Sequence, residues 1–396
     1  MAPRNPFRPS FGITPTVVVG RELVTMNVGL ALLEGPGSPY GFTLVSGPRG
    51  SGKTVLLNLL EEEARYRGWT VLRVTSSHDM VDDLVATDIP ALLRDITGKK
   101  TRRIVTGGSV AGIGSVTTQA ESAFPVRESL RTLLHSLVTT LDDRDSGLFI
   151  TVDEIHAARP ADLHRLTDAI QNLVRDGLPV AMSVAGLPYE ISALLDHPGT
   201  TFLRRACAVQ LGTLRDAEVA DALRKTADDG GRPFTEDALT AATDYCHGYA
   251  YLIQLLGSVN WTFSTGGRIT TEDVAAALPF TRERMGLQVH APALREIPER
   301  ELEFLRSVAV LGTPAPTGEI AGRMGIAANQ ALHLPSAAHR PWSDLPCRPR
   351  SRGYRGPLPR RIPPRSRRRL ILSGSPPPLP GSPYRTMAVS IRDGAA

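Results

Sequence analysis

One octapeptide constrains this chain more than any other feature: GPRGSGKT, Gly47 to Thr54, lies between the apolar run YGFTLVSG and the helix-like VLLNLLEEEARYRG. It fits G-x-x-x-x-G-K-[ST] with Gly47, Gly52, Lys53 and Thr54 in register, and strand, loop, helix is the context that pattern needs. The chemistry explains the spacing. Gly47, Pro48, Arg49, Gly50, Ser51 and Gly52 make a loop whose glycines let the backbone fold over a phosphate with its N–H groups inward. The helix that follows turns its positive end toward the same anion. Lys53 is placed to reach the β- and γ-phosphates of a nucleotide, and Thr54 offers a hydroxyl to Mg2+.

A second feature agrees with the first. WTVLRVTS reads as a strand, and LFITVDE (148–154) as a buried strand with two acids at its carboxyl end. A parallel strand delivers such acids to the ligand edge of its sheet. Asp153 is then the candidate for the Mg2+ shell and Glu154 for orienting or polarising the attacking water. Asp–Glu after a strand also starts ordinary turns. The loop upstream favours the functional reading.

Strands and helices alternate up to about residue 211, which points to an α/β sheet with crossover helices. Helical patterns near 82–95 and 126–141 flank TGGSVAGIGSVTTQ, which could be a hairpin or a mobile loop. From 212 to 285 the pattern becomes helical only, and Thr270 with Asp273 three residues on predicts a capping box. Residues 297–330 hold two short helices around a Gly-containing turn and the start of a third, the front half of a helix-turn-helix or winged-helix module. The expected organisation is an α/β nucleotide-binding domain over 1–211, a helical lid over 212–285, a partial winged-helix-like domain over 286–334 and a disordered or frame-shifted tail over 335–396.

The chain resembles the AAA+ ATPases, in the bacterial and archaeal branch similar to origin-recognition initiators. The residues that carry the resemblance are NPFRPSFG (5–12), VVVGRE (17–22), GPRGSGKT, FITVDEIHA, SVAGLP (183–188), FLRRACAVQLGTL and GYAYLIQLLG. It implies a P-loop core, a helical lid, and ATP with Mg2+. It also implies that Val19, Gly20 and Arg21 lie near the adenine, with a surface role open for Arg21. Ser183 falls where such proteins carry a polar sensor, or is an ordinary strand serine. Arg204 and Arg205 fall where an arginine finger serves a neighbouring subunit, or are a solvated pair before a strand. GYAYLIQLLG lacks the arginine that many relatives place at that helix start, which counts against lid-coupled hydrolysis and leaves Tyr249 and Tyr251 as packing rather than catalytic residues.

Composition matters chiefly for the target. The chain carries a net charge of +5, but residues 335–396 hold 13 Arg, 13 Pro and only Asp344 and Asp393, a net +11. That leaves −6 for residues 1–334, so the body has no general attraction for nucleic acid. Repeated proline breaks any recognition helix in the tail. The tail reads as a nucleic-acid-binding arm, a docking segment, or the product of a reading-frame shift in a G+C-rich gene, the last being favoured. No run approaches the ~20 apolar residues of a membrane span. Cys207, Cys246 and Cys347 have no paired spacing, which fits a reducing, cytoplasmic setting. The expected function is ATP binding and hydrolysis used as a conformational switch, with DNA, a second copy or another protein as partner. The alternative is a nucleotide-sensing scaffold with little turnover that binds a protein.

Overall fold

The computed structural model describes residues 4–10, 12–98, 129–196, 198–295, 297–311 and 315–333, with two short strands farther on. Five strands, β1 (Phe42–Ser46), β2 (Thr70–Val74), β3 (Leu148–Val152), β4 (Val180–Gly186) and β5 (Cys207–Gln210), form one sheet in the order β2-β3-β4-β1-β5. All pairs are parallel. A parallel sheet covered on both faces needs strands that are apolar on both sides. The LFITV of β3 is buried at every position.

Alternate residues serve the two faces. Phe149, Ala181 and Val45 pack with Leu56, Leu57 and Leu60 under α1 (Glu22–Glu34) and α2 (Lys53–Tyr66). Ile150, Met182 and Leu44 share the opposite core with Leu134, Leu137 and Ile170. These come from α5 (Leu130–Asp142) and α6 (Pro160–Arg175). The smaller α3 (Met80–Asp83) and α4 (Ile89–Thr97) are joined by a widened turn over 84–88. Ser129 caps α5 by accepting from Thr132 N–H at 3.2 Å. α7 (Pro188–Asp196) follows β4, begun by a proline in the first turn, where the missing N–H costs nothing. The stretch TGGSVAGIGSVTTQ lies outside the described residues.

One polar network is built into the α2 face. Glu61, 2% exposed, takes Thr151 Oγ1–H at 2.7 Å, Arg73 at 2.5 and 3.0 Å, and Arg65 at 3.2 Å. Burial alone would push its carboxyl up, but hydrogen bonds from Arg73, Thr151 and Arg65 outweigh that and hold it below its ordinary 4.5. A carboxyl depressed in the folded state contributes stability above its unfolded value and loses it as pH falls through the folded one. Stability should therefore drop on acidification below 4.5, and Glu61→Gln should flatten that acid limb. Denaturant titrations of both proteins at neutral and acid pH measure it.

Beyond β5 the chain forms α8 (Asp216–Asp229), α9 (Glu236–Cys246), α10 (Ala250–Phe263) and α11 (Thr271–Met285) around Val219, Leu223, Leu239, Leu256 and Trp261. The capping box at Thr270 and Asp273 is formed in both directions. The N-terminal segment joins this helical body to the sheet domain. Phe7 is buried in the helical core, Asn5 Nδ2 donates to Ser258 at 3.0 and 3.1 Å, and Asn58 of α2 donates to Gly12 C=O and Thr14 Oγ1.

After α12 (Ala291–Arg295), α13 (Glu299–Leu311) and α14 (Thr317–Met324) close on Phe304, Val308, Ala315 and Ile320, and α15 (Ala328–His333) packs against α14. Gly325, at φ +64, makes the turn between the last two. In the basic stretch from 335 onward, β6 (Arg369–Ile371) and β7 (Ser390–Arg392) pair antiparallel, and the rest lies outside the described residues. Among the described residues no helix is long and apolar enough to cross a membrane.

Candidate nucleotide site

β1 lies between β4 and β5, so the loop leaving its carboxyl end emerges inside the sheet's edge rather than at its flank. Open α/β sheets bind ligands outside the carboxyl ends of their strands. Gly50 and Gly52 take φ +74 and +91, which side chains resist, and Gly52 starts α2. A Cβ on Gly47 would stand 2.5 Å from Ser51 Oγ and 2.9 Å from Leu211 C=O. The loop is therefore wound too tightly there for any side chain.

Lys53 Nζ donates to Gly47 C=O and Pro48 C=O, both at 3.0 Å. Burial lowers its pKa, while Asp153, Glu190 and Glu154 oppose that and Arg49 adds to it. A partly desolvated ammonium is a strong point attraction for phosphate, and here it also offsets the carboxylates beside it. Thr54 Oγ1–H donates to Asp153 Oδ2 at 2.6 Å across 99 residues of sequence. Hydroxyl plus carboxylate is the hard-oxygen set that Mg2+ uses beside phosphates and water. Ser51 Oγ is buried in the loop with no partner among the described residues, an orphan that a polar ligand in the loop would suit.

Asp153 is itself held from behind. Ser76, just past β2, donates its hydroxyl to the Asp153 carbonyl, and Asp153 Oδ1 accepts Glu154 N–H at 2.9 Å. Glu154 adopts φ 51, ψ 52, a left-handed conformation uncommon outside glycine, and its side chain is exposed. Sharp reversal after the strand aims that carboxylate away from the sheet core. The same turn is fastened to the end of β4. His156 Nδ1 stands 3.0 Å from buried Glu190 Oε1, and Glu190 Oε2 accepts Leu187 N–H at 2.7 Å. Ser76, His156 and Glu190 are assembled only by the fold.

A cavity of about 680 Å³ opens beside the loop. Arg49, Gly50–Val55, Asp153 and Glu154 line one end, Val17, Val18, Val19 and Arg21 another, and Leu214, Ala222, Tyr251, Ile253 and Gln254 bring in the helical body. Arg21 is half-buried and donates to Ser51 C=O at 3.0 Å, so the cavity side is the one it takes. Burial lowers its pKa against the charges of Glu218 and Glu22. Gly20 is not in the lining. Its φ is +68 and a Cβ there would meet Leu214 Cδ2 at 2.8 Å, so it serves the approach of the two bodies.

Two sets of sequence candidates stand away from the phosphate loop. Ser183 does not stand at the end of β4: it pairs level with Thr43 and Thr151, three residues short of Gly186, and is 1% exposed. Strand register buries it mid-sheet, so it cannot touch a phosphate at the edge. Arg204 and Arg205 lie before β5, whose Cys207 is level with Thr43 near the start of β1. They are at the edge opposite the loop, exposed, with Arg204 Nε donating to Leu195 C=O at 2.9 Å. Neither reaches the phosphate loop of its own chain.

Comparison with known proteins agrees with this geometry. The model of the AAA ATPase domain matches residues 17–183. No curated protein matches the chain. Among solved structures, it is similar to the Walker-type ATPase of Pyrococcus abyssi, with 13% identity over 81% of this chain and 90% of that one, TM-score 0.57. It is also similar to the Orc2 protein of Aeropyrum pernix in ADPNP-ADP complexes, with 16% identity over 85% and 86% and TM-score 0.54. At such identities the likeness concerns the fold. Phosphate loop, strand-end acids and family match coincide in one segment, and the chain carries an AAA ATPase domain, the AAA+ form of the P-loop NTPase fold.

Proposed function

We propose that the protein binds ATP with Mg2+, hydrolyses it, and uses the nucleotide state to set the angle between the α/β core and α8–α11, which act as its lid. The observation that carries this reading is the Thr54–Asp153 contact at 2.6 Å, at the mouth of a cavity walled by both bodies. Loop N–H groups from Gly47 to Thr54 would surround the β-phosphate. Lys53 would exchange two carbonyls for phosphate oxygens. Thr54 and Asp153 would hold Mg2+, whose chemistry there is to neutralise charge on the transferring phosphoryl group. Glu154 would orient the attacking water. Val19 and Arg21 would flank the base.

Arg204 and Arg205 would act only on a second copy's phosphate, which makes a homo-oligomer part of the proposal. The closed helix trio α13–α15 with its Gly325 turn supports an output module of helix-turn-helix form, and DNA as the partner. The test is phosphate release by the purified chain with Mg2+ and after chelation. Release that is absent, or indifferent to chelation, rejects the hydrolytic reading.

One observation favours the second reading, a nucleotide sensor with little turnover that binds a protein. From Leu214 onward, the described residues that line the cavity include no cation. Tight ATP binding without phosphate release, together with a protein rather than DNA partner, would select it.

A further inference from the structure

Helix α10 starts without a cap of the usual kind. Its N-cap residue is Tyr249, and no side chain caps the helix there. The first N–H groups of a helix have no partner within it. One of them, Tyr251 N–H, donates to Gly50 C=O at 3.1 Å. The Tyr249 hydroxyl crosses beside it and donates to Arg49 C=O at 2.7 Å. The phosphate loop thus takes the part of a capping side chain for a lid helix, while the helix supplies donors to the loop.

The remaining loop carbonyls complete the pattern. Gly47 and Pro48 accept from Lys53, and Ser51 accepts from Arg21. Five successive carbonyls, 47 to 51, are each bound by a donor, and the lid supplies two of the five. Because a peptide unit is planar and trans, fixing its carbonyl outward turns the attached N–H the other way. The Tyr249 bond to the Arg49 carbonyl thereby sets the direction of the Gly50 N–H, while the Ser51 N–H is turned into the loop's own turn, donating to Pro48 C=O at 3.3 Å. Gly50 shows how close the approach is: a Cβ there would stand 2.1 Å from the Tyr249 hydroxyl and 3.1 Å from Tyr251 Cβ.

We propose that Tyr249 is a positioning residue that ties the phosphate loop to α10, so that occupancy of the loop reaches the lid through the Arg49–Gly50 backbone instead of through a lid cation touching phosphate. This rests on the nucleotide-binding reading above and is independent of whether ATP is turned over. Burial pushes the Tyr249 hydroxyl up to about 12, with Tyr251 adding to the shift, so it stays a donor throughout the neutral range. A conformational change needs a differential interaction between its two states. Loop carbonyls that reorient when phosphate enters provide it, because the two lid donors follow or lose them.

Tyr249→Phe removes one oxygen and keeps the ring against Gly50. Amide hydrogen exchange is followed at 47–54 and at 250–254, with and without Mg-ATP. In the unaltered protein nucleotide should slow exchange in both segments. In Tyr249→Phe the loop should still respond, the first turn of α10 should lose most of its response, and Tyr251 N–H should exchange about tenfold faster before nucleotide is added. The global unfolding midpoint should not move. Equal α10 responses in the two proteins overturn this proposal and leave the nucleotide site standing. No loop response in the unaltered protein overturns the site reading and the proposal with it.

Discussion

Replacing Lys53 by alanine should lower the affinity for Mg-ATP by ~10²–10⁴-fold, the largest effect expected of any single change outside the core. The reasoning is electrostatic. Lys53 is partly desolvated, and its ammonium is held at 3.0 Å from two carbonyls that phosphate oxygens can replace. Two charge-assisted hydrogen bonds contribute about 1.5–3 kcal/mol each, and every 1.4 kcal/mol is about tenfold in affinity. The variant also leaves Asp153 and Glu154 facing a polyanion with one cation fewer. Equilibrium titration with a fluorescent ATP analogue measures the change. Undiminished affinity would mean that the loop is not where the phosphates lie. The fold should survive, because Lys53 stabilises only the loop's own turn.

Glu154→Gln should separate binding from chemistry. Glu154 is exposed and makes no side-chain hydrogen bond among the described residues, and losing its charge beside Lys53 removes a repulsion toward phosphate rather than a contact, so ATP affinity should stay within about twofold while the rate of phosphate release falls by ~10²–10⁴-fold, the usual contribution of a positioned general base. Glutamine keeps the shape and the left-handed turn but cannot accept a proton. Single-turnover phosphate release, beside the binding titration, reads both quantities. A variant that releases phosphate at the original rate would return Glu154 to the role of a turn residue. A variant that neither binds nor turns over would show that the acid is needed to build the site.

These two side chains were readable in advance because short-range rules govern them. A glycine-rich loop between an apolar run and an amphipathic run has few other solutions, and acids at the end of LFITV must surface where a buried parallel strand ends. Thr270 and Asp273 were readable for a similar reason, since a capping box is local. Ser183 was not, because its depth depends on register with Thr43 and Thr151, which no feature of its own strand encodes. Ser76, Glu190 and Tyr249 act on residues 77, 34 and 200 positions away. Their chemistry is ordinary serine, carboxylate and phenol chemistry, and only the fold gives it an address. Arg204 and Arg205 were assigned to a neighbouring subunit's phosphate by resemblance, and their place before β5, away from their own chain's loop, is a property of the sheet rather than of the residues around them.

The N-terminal segment has a mechanical consequence. The α/β core and the helical body are joined covalently where β5 runs on to α8, and a second time non-covalently by the N-terminal segment, whose Asn5 and Phe7 hold to Ser258 and the helical core and whose Gly12 and Thr14 accept from Asn58. A body hinged at one point can swing in any direction, whereas one fastened at two points keeps chiefly the rotation about the line between them. If the helical body moves as the proposed lid, the segment would act as a guide rail, restricting that motion to a swing past the cavity that its own residues Arg8, Ser10 and Ile13 line.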